Sequence, residues 1–279
     1  MAFVIIGVPR TGSTHFMTSL NGHPEIFCNA NIFKANNIQL SWPKEDKIPE
    51  VKKELETLRD KDPAAFLDRV LKAGYGRPHV GFEIFRGQHA GILNALIKDG
   101  SIKKIILYRK NILANFSSTL LASKTGEYML KSGSQKPEAE PKVVFNPKRF
   151  ITFHDHYVAF YRYVMEKLRT NSQPFYVMSY EDINSPQMMA AVIAFIGADP
   201  QLSIDVKNYT RIQKQNPSFI VSRFSNPDDV EAFLAEHNLL HWRYEGETAL
   251  YAFAERARKI SSRKLRKRKK KRKTLKQKK

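Results

Sequence analysis

The amino terminus constrains the fold most. Ala2 to Gly7 is an apolar run that reads as a strand, and Gly7 also opens the turn Gly7-Val8-Pro9-Arg10-Thr11-Gly12-Ser13-Thr14. Laid on the frame G-x-x-x-x-G-K-[ST], every fixed position is met except the lysine, where Ser13 stands. A strand that feeds a helix through such a turn commits the chain to an α/β fold. It also aims backbone N–H groups and the positive end of a helix dipole at one point, which suits a phosphate. Ser13 is too short to reach the outer phosphates of a triphosphate as the lysine does. The loop carries its cation at Arg10 instead, so the implied ligand is a shorter anionic nucleotide.

A second cluster points the same way. Ile102 to Tyr108 reads as a strand, yet it ends in Arg109, and no acid follows until Glu127. A cation therefore sits where a nucleoside triphosphatase wants a magnesium ligand. Eight residues on, Ser117 lies in the helical pattern Asn111 to Ser123. Arg109 and Ser117 can converge on one further phosphate through charge-assisted and hydroxyl hydrogen bonds. His154 and His156 flank Asp155 on a helical segment, where i and i+2 point apart, so no metal site is expected.

These residues resemble the sulfotransferase superfamily, which uses 3′-phosphoadenosine-5′-phosphosulfate (PAPS). Pro9-Arg10-Thr11-Gly12-Ser13-Thr14 is similar to its 5′-phosphosulfate loop, P-[KR]-[ST]-G-[ST]-[ST], and the Arg109/Ser117 pair to its 3′-phosphate motif. Val177-Met178-Ser179-Tyr180-Glu181-Asp182-Ile183 and Phe195-Ile196-Gly197-Ala198 are similar to its YEDL and FLG stretch. Lys214-Gln215-Asn216 with Ser225-Asn226 looks like the C-terminal segment of bacterial-type members. The resemblance spans roughly Met1 to Gly246. It is nearest to the bacterial and phage-type carbohydrate or Nod-factor-like branch, through Leu20-Asn21-Gly22-His23-Pro24-Glu25-Ile26-Phe27-Cys28.

The resemblance implies a PAPS-dependent transferase that moves a sulfuryl group to a hydroxyl or amine, on a carbohydrate or glycolipid, with adenosine 3′,5′-bisphosphate (PAP) as product. It implies Arg10, Thr11, Gly12, Ser13 and Thr14 at the 5′-phosphate, with Arg10 also catalytic in neutralising that phosphate as it departs, and Arg109 and Ser117 at the 3′-phosphate. Tyr180 would lie near the adenine or pack as a core aromatic. Lys214 would close over the nucleotide. Two rival classes stay open: a catalytically silent nucleotide-binding protein and a P-loop kinase or nucleoside triphosphatase.

The catalytic base is where the chain departs from the pattern. Relatives carry a Glu before the IF or LF that follows the histidine-proline pair, and here Asn31 stands there; their GFK strand reads Gly81-Phe82-Glu83. An amide accepts no proton usefully, so Glu83 is the expected base, its pKa raised by burial. The alternative is that Glu83 merely pairs with Arg86 or Arg10. His89, at the start of a helix, is the second candidate, ahead of His15, His23, His154 and His156.

Strands at Ala2 to Gly7, His79 to Phe85, Ile102 to Tyr108 and Phe175 to Ser179 alternate with helical patterns. They predict a P-loop NTPase-like three-layer α/β/α architecture with a central parallel sheet. Helices are expected at Ser13 to Leu20, Val51 to Lys61, Pro63 to Ala73 and from Pro147 to Arg169. A polar, aperiodic stretch from Lys124 to Pro147 is expected to be a lid or a disordered loop. Residues 1–255 form the expected catalytic domain.

Residues 256–279 form a basic tail, helical or disordered, with sixteen of the chain's 47 Lys and Arg and no acid, so most of the net +20 is local. Such a run suits a polyanion: nucleic acid, an anionic membrane surface or an acidic glycan. No apolar segment approaches the ~20 residues of a membrane span, no signal peptide is evident, and Cys28 stands alone. These features suit a cytoplasmic protein.

Overall fold

Phe3, Val4, Ile5 and Ile6 are all fully buried, as a strand covered on both faces requires. They belong to β1 (Ala2–Gly7), the middle strand of the computed structural model, which describes residues 1–35, 37–43, 49–127, 130–131, 140–204, 212–213 and 216–245. After β1 come α1 (Ser13–Asn21), β2 (Ile26–Asn31), α2 (Pro49–Lys61), α3 (Pro63–Lys72) and β3 (His79–Phe85). Then follow α4 (Ala90–Lys98), β4 (Ile102–Tyr108), α5 (Ile112–Thr125), β5 (Leu130–Lys131), α6 (Pro147–Thr170) and β6 (Phe175–Ser179). The last elements are α7 (Pro186–Ile196), β7 (Ile212–Gln213) and α8 (Pro227–Glu236).

Five strands form one sheet in the order β2-β3-β1-β4-β6, and every pair is parallel. Alternate residues of β1 feed two cores. Phe3 and Ile5 join Ile105 and Leu107 beneath α1 and α7, whereas Val4 and Ile6 join Phe82, Ile84 and Ile106 beneath α4, α5 and α6. The three-layer expectation is met. The four anticipated strands stand at their predicted bounds, and β2 is an addition. The 124–147 stretch also differs from an unstructured loop, because β5 pairs antiparallel with β7. Much of that stretch, Lys214, Gln215 and the 256–279 tail lie outside the described residues.

Two tyrosines of α6, four residues apart and so on one face, fix the carboxyl ends of β1 and β4. Tyr161 donates to the Leu107 carbonyl at 2.7 Å and accepts from Val8 N at 3.3 Å. Tyr157 donates to the Arg109 carbonyl at 3.0 Å and accepts from Arg109 N at 2.7 Å. The crevice at those strand ends is where open α/β sheets hold ligands.

Candidate active site

The loop between β1 and α1 turns by two left-handed residues, Arg10 (φ 69°) and Gly12 (φ 78°). Gly12 is required twice over: its φ favours glycine, and a Cβ there would lie 2.2 Å from Cδ2 of Tyr180. The buried Thr11 hydroxyl donates to the Val8 carbonyl at 2.9 Å, so Thr11 braces the turn. Gly12 caps α1 without a side-chain hydrogen bond. The first amides of α1 are thus left for an anion.

Tyr180 follows β6, and the Arg109 guanidinium lies over its ring, 4.5 Å from the centroid. It therefore links Gly12 in the loop to Arg109 at the end of β4. Arg109 also donates from Nη1 to the Arg10 carbonyl at 3.3 Å. The Arg10 side chain turns toward α5, where its Nε donates to Ser118 Oγ at 2.9 Å. Asn115 reaches the Pro9 carbonyl at 3.1 Å, and Asn216 reaches Ser118 Oγ at 3.3 Å. Loop and β4 edge are one constellation.

The β4 edge holds two residues that sequence reasoning missed. Arg223, in the turn Ile220–Arg223, is fully buried and donates from Nη1 to Ser117 Oγ at 3.0 Å. Glu245 presents Oε1 to Arg109 Nη2 at 2.5 Å and to Arg223 Nη2. Burial pulls Arg223 below its usual pKa, and Glu245 opposes that shift. The Arg109 Nε is buried without a hydrogen-bond partner. The Ser117 hydroxyl donates to the Ala114 carbonyl and accepts from Arg223, one of the two arginines that form a cradle around Glu245.

Glu83 sits below the loop, on the side of the sheet covered by α1. It is 1% exposed, and neither carboxyl oxygen has a hydrogen-bond partner. Burial raises its pKa to about 8, the neighbouring Ser13 hydroxyl pulling the other way. Its charge in turn adds to the burial that pushes the Cys28 thiol up. The anticipated pairing with Arg86 is absent: that guanidinium donates to the His156 carbonyl at 3.2 Å. Asn31, the register partner of Glu83, donates to Gln39 Oε1 at 3.3 Å and accepts from Gln88 at 3.1 Å. Three amides are thus joined in a chain that starts at the register partner of the buried carboxyl.

His89 departs from its expected role. Its Nδ1 accepts from Ile92 N at 3.1 Å and caps α4. The proton then resides on Nε2, and the ring has no lone pair left to take another without breaking the cap. It packs edge-on to Phe33 instead. The histidine-proline pair is structural as well, since both nitrogens of His23 are engaged, with the Asp199 carbonyl and Glu25 N.

The chain is similar to two curated proteins called Nodulation protein H. That of Rhizobium tropici is 27% identical over 229 residues, 80% of this chain and 85% of the relative. That of Rhizobium meliloti strain 1021 is 25% identical over 223 residues, covering 77% and 84%. No protein-family model matches this chain. A solved sulfotransferase from Alicyclobacillus acidocaldarius superposes with a TM-score of 0.46 at 15% identity, over 84% of this chain and 91% of its own.

Proposed function

We propose that this chain is a sulfotransferase of the PAPS-dependent superfamily, with PAPS as donor and a hydroxyl or amine as acceptor, on a carbohydrate or glycolipid. The observation that carries the reading is the Arg109–Arg10 contact, which sets an arginine cradle beside a phosphate loop. The buried, unpartnered Arg109 Nε fits a ligand with several anionic oxygens at that place.

The bound donor supplies a sulfuryl group whose bond to the 5′-phosphate breaks as one to the acceptor oxygen forms. In this reading the amides from Thr11 to Thr14 hold the 5′-phosphate and stabilise charge as it develops there. Arg109, Arg223 and Ser117 hold the 3′-phosphate and so favour 3′-phosphorylated nucleotides over ADP. Arg10 serves both clusters, its backbone in the loop and its side chain on α5. Glu83 takes the acceptor proton, a role suited to a carboxylate whose pKa lies near neutrality. The amides of Asn31, Gln39 and Gln88 offer donors and acceptors to a polyhydroxyl acceptor, which supports a saccharide. A cytoplasmic site of action accords with the use of one cysteine.

Residues 1–255 are proposed as the catalytic unit and 256–279 as a polyanion-binding tail. Binding of a DNA duplex should then weaken steeply with added salt, and a chain ending at residue 255 should lose it.

Thermal unfolding tests the donor. Adenosine 3′,5′-bisphosphate should raise the Tm, and ATP with magnesium should not. The reverse would favour a kinase. A radiolabelled-donor screen over sugars then separates transfer from silent binding.

A further inference from the structure

Of residues 239–245, which cross the amino-terminal end of α5, Glu245 alone is buried, and it is the charged one that reaches deepest. The middle of this strap is anchored by Trp242, which packs against Phe150 and His154, and by the Arg243–Glu231 ion pair; its end is held by fewer contacts. Asn111 donates to the carbonyls of Trp242 and Tyr244 at 3.0 and 3.1 Å, Glu245 N donates to the Ser218 carbonyl at 3.0 Å, and the Tyr244 ring rests on Phe219.

The carboxyl it delivers lies between two buried guanidiniums, in the cradle assigned above to the 3′-phosphate. Two like charges buried side by side need an anion. Without the nucleotide, Glu245 is that anion.

We propose that Glu245 is an internal competitor of the donor's 3′-phosphate: it occupies the cradle in the resting enzyme and must leave for the nucleotide to seat. The inference rests on the reading of the site given above. A carboxylate brings one charge, whereas a phosphate monoester brings nearly two and three acceptor oxygens. The spare Arg109 Nε donor marks the difference. The phosphate therefore displaces Glu245, but with an affinity reduced by the fraction of molecules in which the cradle is already filled. Return of Glu245 after transfer would help expel the bisphosphate product, which shares the 3′-phosphate with the donor.

The test compares adenosine 3′,5′-bisphosphate with adenosine 5′-phosphate by calorimetry on the full chain. Glu245→Gln keeps the shape and removes the charge. It should bind the bisphosphate at least tenfold more tightly and the monophosphate as before. Because the variant leaves two arginines without a counter-ion and can misfold, hydrogen exchange on the wild type supplies a second readout. The bisphosphate, and not the monophosphate, should speed exchange at the Trp242 and Glu245 amides.

Unchanged or weaker bisphosphate binding in Glu245→Gln, or slower exchange of the strap, would overturn the competitor and leave Glu245 as a brace for the arginines. Equal binding of the two nucleotides by the wild type, unaffected by Arg109→Ala, would remove the 3′-phosphate site itself and the inference with it.

Discussion

Asn31 and Glu83 are register partners across the β2–β3 ladder, an amide beside a buried carboxyl near the carboxyl ends of the strands. The base proposed above, Glu83, thus lies against Ser13, the first residue of α1.

Glu83 should reveal itself in the pH dependence of stability. Its folded pKa of about 8 lies above the ordinary 4.5, so the folded state holds the proton more tightly than the unfolded chain. Stability then falls as pH rises between those values, by at most about 1.4 kcal/mol per unit. Glu83→Gln removes this slope. Its Tm should match the wild type near pH 5 and exceed it near pH 8.5, by calorimetry at both pH values. A parallel fall in both proteins would show that Glu83 titrates normally.

Activity should move oppositely. A base must be ionised, so wild-type kcat/KM should climb about tenfold per unit below pH 8 and level off above it. Glu83→Gln should lose at least about a hundredfold and lose that acid limb. Wild-type turnover in the variant would take the base away from Glu83.

Most of the sheet was legible because its central strands are continuous apolar runs, Ala2 to Gly7 and Ile102 to Tyr108 above all, which only burial on two faces explains. β2 was not, because Ile-Phe-Cys-Asn-Ala-Asn mixes apolar residues with asparagines that disfavour strands, and its pairing shifts register between Asn29 and Asn31. Arg10 and Arg109 were singled out by position, one inside a glycine-bearing turn and one where a strand ends. Arg223 and Glu245 were not, since they lie 106 and 136 residues from the groups they meet, Ser117 and Arg109. A lone arginine in Phe219-Ile220-Val221-Ser222-Arg223-Phe224 was the available signal, and nothing local distinguished Glu245. The cap that His89 places on α4 was likewise not legible, because a histidine at a helix start has the same signature whether it caps or reacts.

Gly12 couples the loop to Tyr180. Gly12→Ala should lose about 1–2 kcal/mol from the left-handed backbone alone. The added methyl also displaces the Tyr180 ring, and Arg109 with it, so bisphosphate affinity should drop at least about tenfold, roughly 1.4 kcal/mol. Adding Tyr180→Ala should recover the steric part of the stability loss and leave the backbone part. Denaturant titration of the two single variants and the double variant checks this, and strictly additive losses would mean that the ring and the loop are not in contact.

Tyr157 offers the cleanest test of how the cradle is held. Its hydroxyl satisfies both the N–H and the carbonyl of Arg109, and burial raises its pKa to about 12, so it remains a neutral donor and acceptor through the working range. Tyr157→Phe preserves the ring that packs on Tyr161 at 4.8 Å and deletes just that oxygen. Two buried backbone groups are then unpaired, which costs about 1–3 kcal/mol each at most. Part of the loss should be recovered by local movement of the Arg109 backbone, and that movement shifts the guanidinium away from the Arg10 carbonyl. The variant should therefore show a lower Tm together with weaker binding of adenosine 3′,5′-bisphosphate and unaltered binding of adenosine 5′-phosphate, which does not call on Arg109. Equal weakening of both nucleotides would place the damage in the loop, through Tyr161 and Val8, and not at the cradle.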